Sequence, residues 1–370
     1  MISDLARPFD EIVRNMDQEL QTLASEGKRL IGYFCTYTPV ELIHASGFIP
    51  VRILGDAGTV EKAYTLTPDF ICPYLRKAVE KGLNGSYKCL DGLVQGYTCD
   101  AACGVANIWE ANMGADPFHI LPLPYVDQDE SRSFLRSGLE DLAEILKRAG
   151  GDFSQERLAD SLDIYGRIRT LMSELYEIRY EHRLPLSAED FLTIVQAGFI
   201  TAPERYLSML HDLIDALPET CDPGEGVPIL VSGSLIEETK VLRIIEESGG
   251  RVVADDLCTG MRNFVPAYGH GSDPMDQLID RFMNRFPCPS RSSAEYRLPR
   301  LLDLMKHSKA CAMVFVFQKY CTPHLSDYPF LNDALKDKGI PSIMVELDET
   351  GIMEGQLKTR LESFFEMIGW

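Results

Sequence analysis

The stretch LDGLVQGYTCDAACGVANIWEANMGADPFHILPLP, residues 90–124, decides the fold class. Residues 90–98 form an apolar run of strand length, residues 99–114 have the length and spacing of a helix, and residues 117–124 are a second apolar run. Two short buried strands joined by a helix are typical of a parallel sheet, because parallel neighbours need a crossover connection. We therefore expect an α/β fold.

Two cysteines stand four positions apart where the first of these strands would end and the helix would begin. They are Cys99 and Cys103, and Asp100 directly follows the first. A buried apolar pair, half of a metal site and a catalytic thiol would each place cysteines there. These residues by themselves leave the three alternatives open.

The alternation of strand and helix recurs in both halves of the chain, around a charge-rich helical middle. We predict an N-terminal helix at 1–29, a first α/β domain at 30–129, a helical segment and linker at 130–225, and a second α/β domain at 226–370. The two parallel sheets would face a central cleft. Open α/β sheets bind ligands at the carboxyl ends of their strands, so this cleft is the expected place for a site.

Composition excludes several classes of protein. The 370 residues carry a formal net charge of −20, from 56 acidic and 36 basic side chains, whereas nucleic acids and anionic membranes attract basic surfaces. The N-terminus has no apolar core of the signal-peptide type, and the longest apolar run, ACAMVFVF at 310–317, has the length of a buried strand. We expect a cytoplasmic protein with no nucleic-acid or membrane partner, whose cysteines stay reduced.

The ten cysteines are not spread evenly over this layout. Five fall where a predicted strand gives way to a helix: Cys35, Cys72, Cys99, Cys258 and Cys321. A helix N-terminus stabilises a thiolate, which suits a metal ligand as well as a nucleophile. Buried apolar cysteines and Fe–S or zinc ligands stay open as alternatives, while the lack of a C-x-x-C pair disfavours a zinc ribbon or a ferredoxin motif. We expect structural or incidental roles for four others: Cys89, Cys221, Cys288 and Cys311.

Acid–base candidates are less distinctive. Glu41 lies early in the first predicted crossover helix, where it either complements the helix dipole or takes part in acid–base chemistry. A nucleophilic cysteine would need a histidine close in space. The sequence cannot pair a thiol with any of the candidates, which are His44, His119, His270 and His324.

Five segments, in order, resemble the blocks of a known family: GYFCTYTPVELIHASGFIPVRILG, CPYLRKAVEKG, DGLVQGYTCD, VVADDLCTGMR and VFQKYCTPH. The family is that of the 2-hydroxyacyl-CoA dehydratases and benzoyl-CoA reductases, and the resemblance covers residues 30–370. It implies an iron–sulfur subunit with two Rossmann-like domains and added helices. It also implies a [4Fe–4S] cluster held between the domains on three thiolates, with one iron open, and the matching positions are Cys72, Cys99 and Cys321.

The activity that the resemblance implies is a radical dehydration. An ATP-hydrolysing iron–sulfur activator protein would inject one electron, the 2-hydroxyacyl-CoA thioester would become a ketyl radical anion, and the electron would be recycled after the hydroxyl leaves. The partners would be the acyl-CoA, the activator, and a related second subunit or a second copy of the chain. Such a lyase is expected to be anaerobic and oxygen-sensitive. Glu41 is carried over as a candidate catalytic group, for acid–base chemistry or substrate contact.

The same family keeps other functions open. One is an ATP-dependent reductase of the benzoyl-CoA type or of the double-cubane type, the latter with an [8Fe–9S] cluster. Another is an electron-relay subunit whose cluster never meets substrate. The ligand set is open too, because Cys103 lies close to Cys99, and because Cys35 and Cys258 also stand in blocks that resemble the family.

Overall fold

The computed structural model describes residues 2–55, 58–218, 221–222, 224–349 and 351–369. The strands are β1 Arg29–Tyr33, β2 Phe48–Arg52, β3 Gly92–Gly96, β4 Phe118–Leu121, β5 Val227–Gly233, β6 Gly250–Asp256, β7 Ala312–Gln318 and β8 Ser342–Leu347. The helices are α1 Arg7–Arg14, α2 Met16–Ser25, α3 Val40–Ala45, α4 Pro73–Asn84, α5 Asp100–Met113, α6 Asp129–Arg148, α7 Gln155–Tyr180, α8 Ala188–Ala197, α9 Pro203–Asp215, α10 Lys240–Glu247, α11 Pro274–Met283, α12 Ala294–Ser308, α13 Thr322–Asp337 and α14 Glu354–Met367. The strands form two four-stranded parallel sheets, which confirms the predicted α/β class.

Both sheets have the same strand order. It is β2-β1-β3-β4 in the first sheet and β6-β5-β7-β8 in the second, with every neighbouring pair parallel. In each sheet the chain winds to one side and then crosses to the other, so the direction of winding reverses between β1 and β3 and again between β5 and β7. Such a switch point leaves a crevice at the carboxyl ends of the two strands, which is where open α/β sheets bind ligands.

The strands of the second sheet show why the chain folds this way. All seven residues of β7, AMVFVFQ, are buried, as expected for a central strand that is covered on both faces. Gly233 ends β5 so close to the neighbouring strand that a Cβ atom would lie 2.0 Å from the carbonyl oxygen of Val316. Only glycine allows this approach, so this residue determines how closely the two central strands pack at their carboxyl ends.

The N-terminal segment differs from the single helix predicted at 1–29. It forms two helices, α1 and α2, which meet at Asn15. Asn15 leaves helical geometry with φ −105° and ψ 31°, and its side-chain amide donates a hydrogen bond of 2.8 Å to the carbonyl oxygen of Glu11. Asparagine side chains compete for backbone carbonyls in this way, which explains the break.

Helices α6 to α9 occupy the segment 129–215, where the sequence predicts helices. The long helix α7 packs on α3 and α11 and makes contact with β6, so it touches elements of both halves of the chain. None of the helices in the described part of the chain is long and apolar enough to cross a membrane.

Candidate functional site

A cavity of about 100 Å³ lies where the carboxyl ends of the strands of both sheets meet. Nine of its lining residues come from positions 34–102 and nine from positions 234–324, so the two α/β halves build it in equal parts. Six of the lining residues are cysteines: Cys35, Cys72, Cys99, Cys258, Cys288 and Cys321. The wall is mostly carbon and sulfur, which makes the site apolar and rich in thiols.

Two of these thiols occupy equivalent positions in the two sheets. Cys99 follows β3 and is the N-cap of α5, and Cys321 follows β7 and is the N-cap of α13. Each therefore stands at the switch point of its own sheet. Cys35 follows β1 on the other side of the first switch point. The repeated topology thus brings thiols from two distant stretches of sequence to one cavity.

Cys72 is the N-cap of α4, with Pro73 in the first turn, so three of the six thiols begin helices. The Cys99 sulfur accepts a hydrogen bond of 3.4 Å from the backbone N–H of Ala102, three residues on. The corresponding N–H groups, of Leu75 and His324, lie near the sulfurs of Cys72 and Cys321. Backbone N–H groups and helix dipoles favour a thiolate, so each of the three helices is suited to hold one.

Without a bound metal these three thiols are neutral. Burial raises the pKa of Cys72, Cys99 and Cys321 to about 12. Neighbouring thiols add to the shift, since Cys99 acts on Cys72 and Cys72 acts on Cys321. A metal that binds here must displace the protons, so its apparent affinity increases with pH.

Two further thiols of the cavity, Cys258 and Cys288, act on each other. Cys258 and Cys288 share a hydrogen bond, which raises the pKa of Cys258 and lowers that of Cys288. The Arg262 guanidinium donates to the Cys258 sulfur at 3.2 Å and adds to the lowering at Cys288. The carboxylate of Asp256 accepts from Arg262 at 2.5 Å, and it holds the guanidinium in place beside the sulfur.

His324 is fixed in one tautomer by the same guanidinium. Its Nε2 lies 3.4 Å from Nη1 of Arg262, and a guanidinium can only donate, so Nε2 must be the acceptor. Burial, together with the charges of Arg262 and Arg297, lowers the pKa of His324 well below its usual value, and the ring is neutral. The proton is then on Nδ1, which has no hydrogen-bond partner among the described residues. His324 thus lines the cavity as a neutral ring.

The arrangement of the side chains argues against a site for a single metal ion. Among the described residues, no group of three or more His, Cys, Asp or Glu side chains is arranged to hold one. A zinc ion needs its ligands at bonding distance from one point, whereas each thiolate of an iron–sulfur cluster binds a different iron. Thiols spread over a cavity wall are compatible with the cluster.

Glu41 lies outside this wall. It is fully buried, one of its carboxylate oxygens contacts Arg169, and that oxygen is 3.4 Å from Nη1 of Arg281. Burial alone would raise the pKa of Glu41, but the charges of the two arginines lower it to about 2. These contacts are those of an ionised ion-pair partner. Its catalytic role stays a prediction.

The sequence predicted some of the cysteines of this cavity and missed one. The structure brings the predicted ligands Cys72, Cys99 and Cys321 to one wall, together with Cys35 and Cys258, while Cys103 is buried one turn further along α5. Cys288 lines the cavity too, although the sequence predicts a structural or incidental role for it. It lies in the loop between α11 and α12, where no strand ends, so the strand-end pattern could not find it.

A family profile described as 2-hydroxyglutaryl-CoA dehydratase, D-component, matches residues 35–368. The chain belongs to this family. The chain is 24% identical over 364 residues to the (R)-phenyllactyl-CoA dehydratase beta subunit of Clostridium sporogenes, with 97% of each chain covered. It is 26% identical over 351 residues to the lactoyl-CoA dehydratase subunit beta of Anaerotignum propionicum, covering 93% of each chain.

A third relative is named as a reductase and not as a dehydratase. It is a benzoyl-CoA reductase subunit of Thauera aromatica, 22% identical over 359 residues, which is 93% of this chain and 92% of that one. The family to which the sequence blocks point is thereby confirmed. All three relatives are named as subunits of enzymes whose names include a CoA thioester, two as dehydratases and one as a reductase.

Proposed function

We propose that this chain is the iron–sulfur subunit of a 2-hydroxyacyl-CoA dehydratase, a lyase that works by radical dehydration. The observation that carries the proposal is that Cys72, Cys99 and Cys321 begin three helices on the wall of one cavity. The dehydratase beta subunits, to which the chain is similar over nearly its whole length, support the reaction class.

The residues present fit a [4Fe–4S] cluster. Three thiols at helix N-termini supply the ligand type that such clusters take, and the helix ends favour the thiolate form. Bound there, the cluster would supply a one-electron donor with an iron open to a thioester carbonyl oxygen. The chain itself contributes an apolar wall of carbon and sulfur and, on that wall, a neutral His324 whose buried N–H has no hydrogen-bond partner among the described residues.

The partners follow from the same proposal. Each of the three relatives is named as one subunit of its enzyme, which supports a related second subunit beside this chain, and a second copy of the chain is the alternative. An acyl-CoA would be the substrate, and an ATP-hydrolysing iron–sulfur activator would deliver the electron. The protein would work in the cytoplasm, without oxygen.

One observation favours a second candidate, a low-potential reductase with an [8Fe–9S] double-cubane cluster. The cavity wall carries six cysteines and not three, and the additional ones are Cys35, Cys258 and Cys288. Six thiols would suffice for two linked cubanes with three thiolates each. The relative that is named as a benzoyl-CoA reductase subunit supports reduction as the alternative reaction class.

Cysteine variants test the ligand set. We expect Cys72→Ser, Cys99→Ser and Cys321→Ser each to lose the visible absorption of the anaerobically prepared protein. Cys89→Ser is the matched control, since Cys89 is partly buried outside the cavity, and its variant should keep the absorption. Retention in Cys99→Ser with loss in Cys103→Ser would show that the wrong thiol of that pair is proposed.

Electron use per product separates the two candidate reactions. With activator, ATP and a limiting amount of reductant, a dehydratase should form many molecules of 2-enoyl-CoA per electron, because the electron is recycled. A reductase consumes two electrons for each product. Product equal to half of the electrons supplied would overturn the dehydratase and support the reductase.

A further inference from the structure

A second cavity, of about 70 Å³, lies behind the strand ends that border the thiol cavity. The two cavities share a wall, since Phe34 and Cys35 line the first, whereas Tyr33 and Thr36 line the second. Residues of helix α7, of helices α8 and α9 with their junction, and of helix α11 line most of the rest. Neither the reaction nor the cluster proposed above uses this space.

Three buried arginines line this second cavity. They are Arg169, Arg281 and Arg285, which are 3%, 2% and 9% exposed. Glu41 is the only carboxylate with which any of them forms an ion pair in the described part of the chain, through contacts to Arg169 and Arg281. One negative charge thus faces three positive charges.

Arg285 is held without an acid. Its guanidinium donates to the backbone carbonyl oxygens of Thr36 and Arg262, and it stacks on the ring of Tyr37 at 4.6 Å. Backbone carbonyls satisfy N–H groups, but they do not neutralise the charge. Arginine stays protonated in proteins, so this charge must be balanced in another way.

The neighbouring tyrosines do not supply the missing negative charge. Burial raises the pKa of Tyr33 to about 12 and that of Tyr165 well above its usual value, so both are neutral. Arg281 also has a polar atom to spare, because its buried Nε has no hydrogen-bond partner among the described residues. The cavity therefore combines excess positive charge with an unused donor.

We propose that this second cavity binds a short-chain carboxylate. Carboxylate oxygens match the fork of a guanidinium, and an anion here would balance a buried charge that is costly when left unpaired. The cavity is too small for a nucleotide, and its other wall is apolar, with Ile168, Val195 and Phe199 available to an alkyl chain. A small ion without an alkyl part, such as inorganic phosphate, would leave that wall without a partner.

Thermal unfolding and calorimetry of the anaerobically purified chain test this directly, whether or not a cluster is bound. Acetate, propionate and butyrate are added at constant ionic strength, with inorganic phosphate and chloride as comparison anions. We expect the carboxylates to raise the unfolding midpoint in a saturable way. No response to any carboxylate, or a response to phosphate of equal size, would overturn the proposal.

Arg281→Met is the variant that decides between a site and a general salt effect. It leaves the Arg169–Glu41 pair in place, so the ligand-free variant should fold. Its midpoint should be somewhat lower than that of the wild type, because the contact with Glu41 and the hydrogen bond to the carbonyl oxygen of Asn263 are lost. We expect carboxylate affinity at least about tenfold weaker, as for the loss of charge-assisted hydrogen bonds. Arg14→Met, which removes an exposed arginine, is the control and should bind as the wild type does.

If Arg281→Met does not fold, Arg281→Lys replaces it, because lysine keeps the charge and loses the fork. The same weakening is expected. Unchanged carboxylate affinity in a folded Arg281 variant would contradict the site. The measurement is one of binding only, so its failure leaves the proposed dehydratase function standing, and failure of that function leaves this site standing.

Discussion

Replacing Asp256 by asparagine tests whether a buried ion-pair network supports the thiol cavity. Asp256 is fully buried at the end of β6 and accepts hydrogen bonds from Arg262 at 2.5 Å, from Arg297 at 2.8 Å and from Ser232 at 2.8 Å. Burial acts to raise its pKa, but the charges of the two arginines outweigh it and lower that pKa below the usual value. Asparagine keeps the shape and removes the charge.

The magnitude follows from what is left behind. In Asp256→Asn two buried guanidiniums lose the carboxylate between them, and Arg262 loses its acidic partner. Breaking a buried pair by removing one partner costs about 3–5 kcal/mol, because an uncompensated charge stays in the interior. We expect the free energy of unfolding to fall by that amount at pH 7.

A matched control uses the other carboxylate on the same network. Asp327 accepts from Arg297 at 2.8 Å and is 13% exposed, so in Asp327→Asn the arginine keeps Asp256. The expected loss is about 1 kcal/mol, as for pairs near the surface. Urea unfolding of both variants at pH 7, followed by circular dichroism, measures the difference. A loss below about 1 kcal/mol in Asp256→Asn, or one no larger than in the control, would refute the reasoning.

Three further predictions concern stability. The pKa of Glu41 is lowered from 4.5 to about 2, which adds stability above pH 4.5 that is lost as the pH falls through about 2. In urea titrations Glu41→Gln should therefore lower the free energy of unfolding by about 3 kcal/mol at pH 7 and by progressively less below pH 4.5. An equal cost at pH 7 and pH 3 would contradict this. Burial raises the pKa of Glu237 from 4.5 to about 8, so the stability of the wild type falls as the pH rises through that range. The free energy of unfolding of Glu237→Gln should exceed that of the wild type by at least about 1 kcal/mol at pH 9 but not at pH 4. No gain at pH 9 would contradict this prediction. Gly233→Ala puts a methyl group against the Val316 carbonyl oxygen and should lower the free energy of unfolding by about 2 kcal/mol or more. A thermal midpoint equal to that of the wild type would contradict this, since it would mean that β5 and β7 can move apart at no energetic cost.

Much of the fold follows from short-range patterns. Apolar runs such as residues 310–317 have the length of a strand, and the helices between them require parallel pairing. Cys99 and Cys321 could be predicted as site residues because the carboxyl ends of parallel strands meet at one edge. The break between α1 and α2 at Asn15 was not predicted, because a single side-chain hydrogen bond determines it.

Long-range pairing is what the sequence does not reveal. Glu41 and Arg169 are separated by 128 positions, and nothing local tells which arginine the carboxylate meets. The excess positive charge of Arg169, Arg281 and Arg285 over Glu41 is likewise visible only once the fold brings these four residues together. Cys288 comes to the thiol cavity on a loop without regular spacing, so no periodicity could have identified it.

The most direct test of the central claim, that the thiol cavity holds an iron–sulfur cluster, is the content of iron and acid-labile sulfide per chain after strictly anaerobic purification. A [4Fe–4S] cluster on Cys72, Cys99 and Cys321 predicts about four irons and about four sulfides per chain. About eight irons would contradict the single cluster and favour the double-cubane reductase. Little or no iron, with zinc in its place, would contradict the claim altogether.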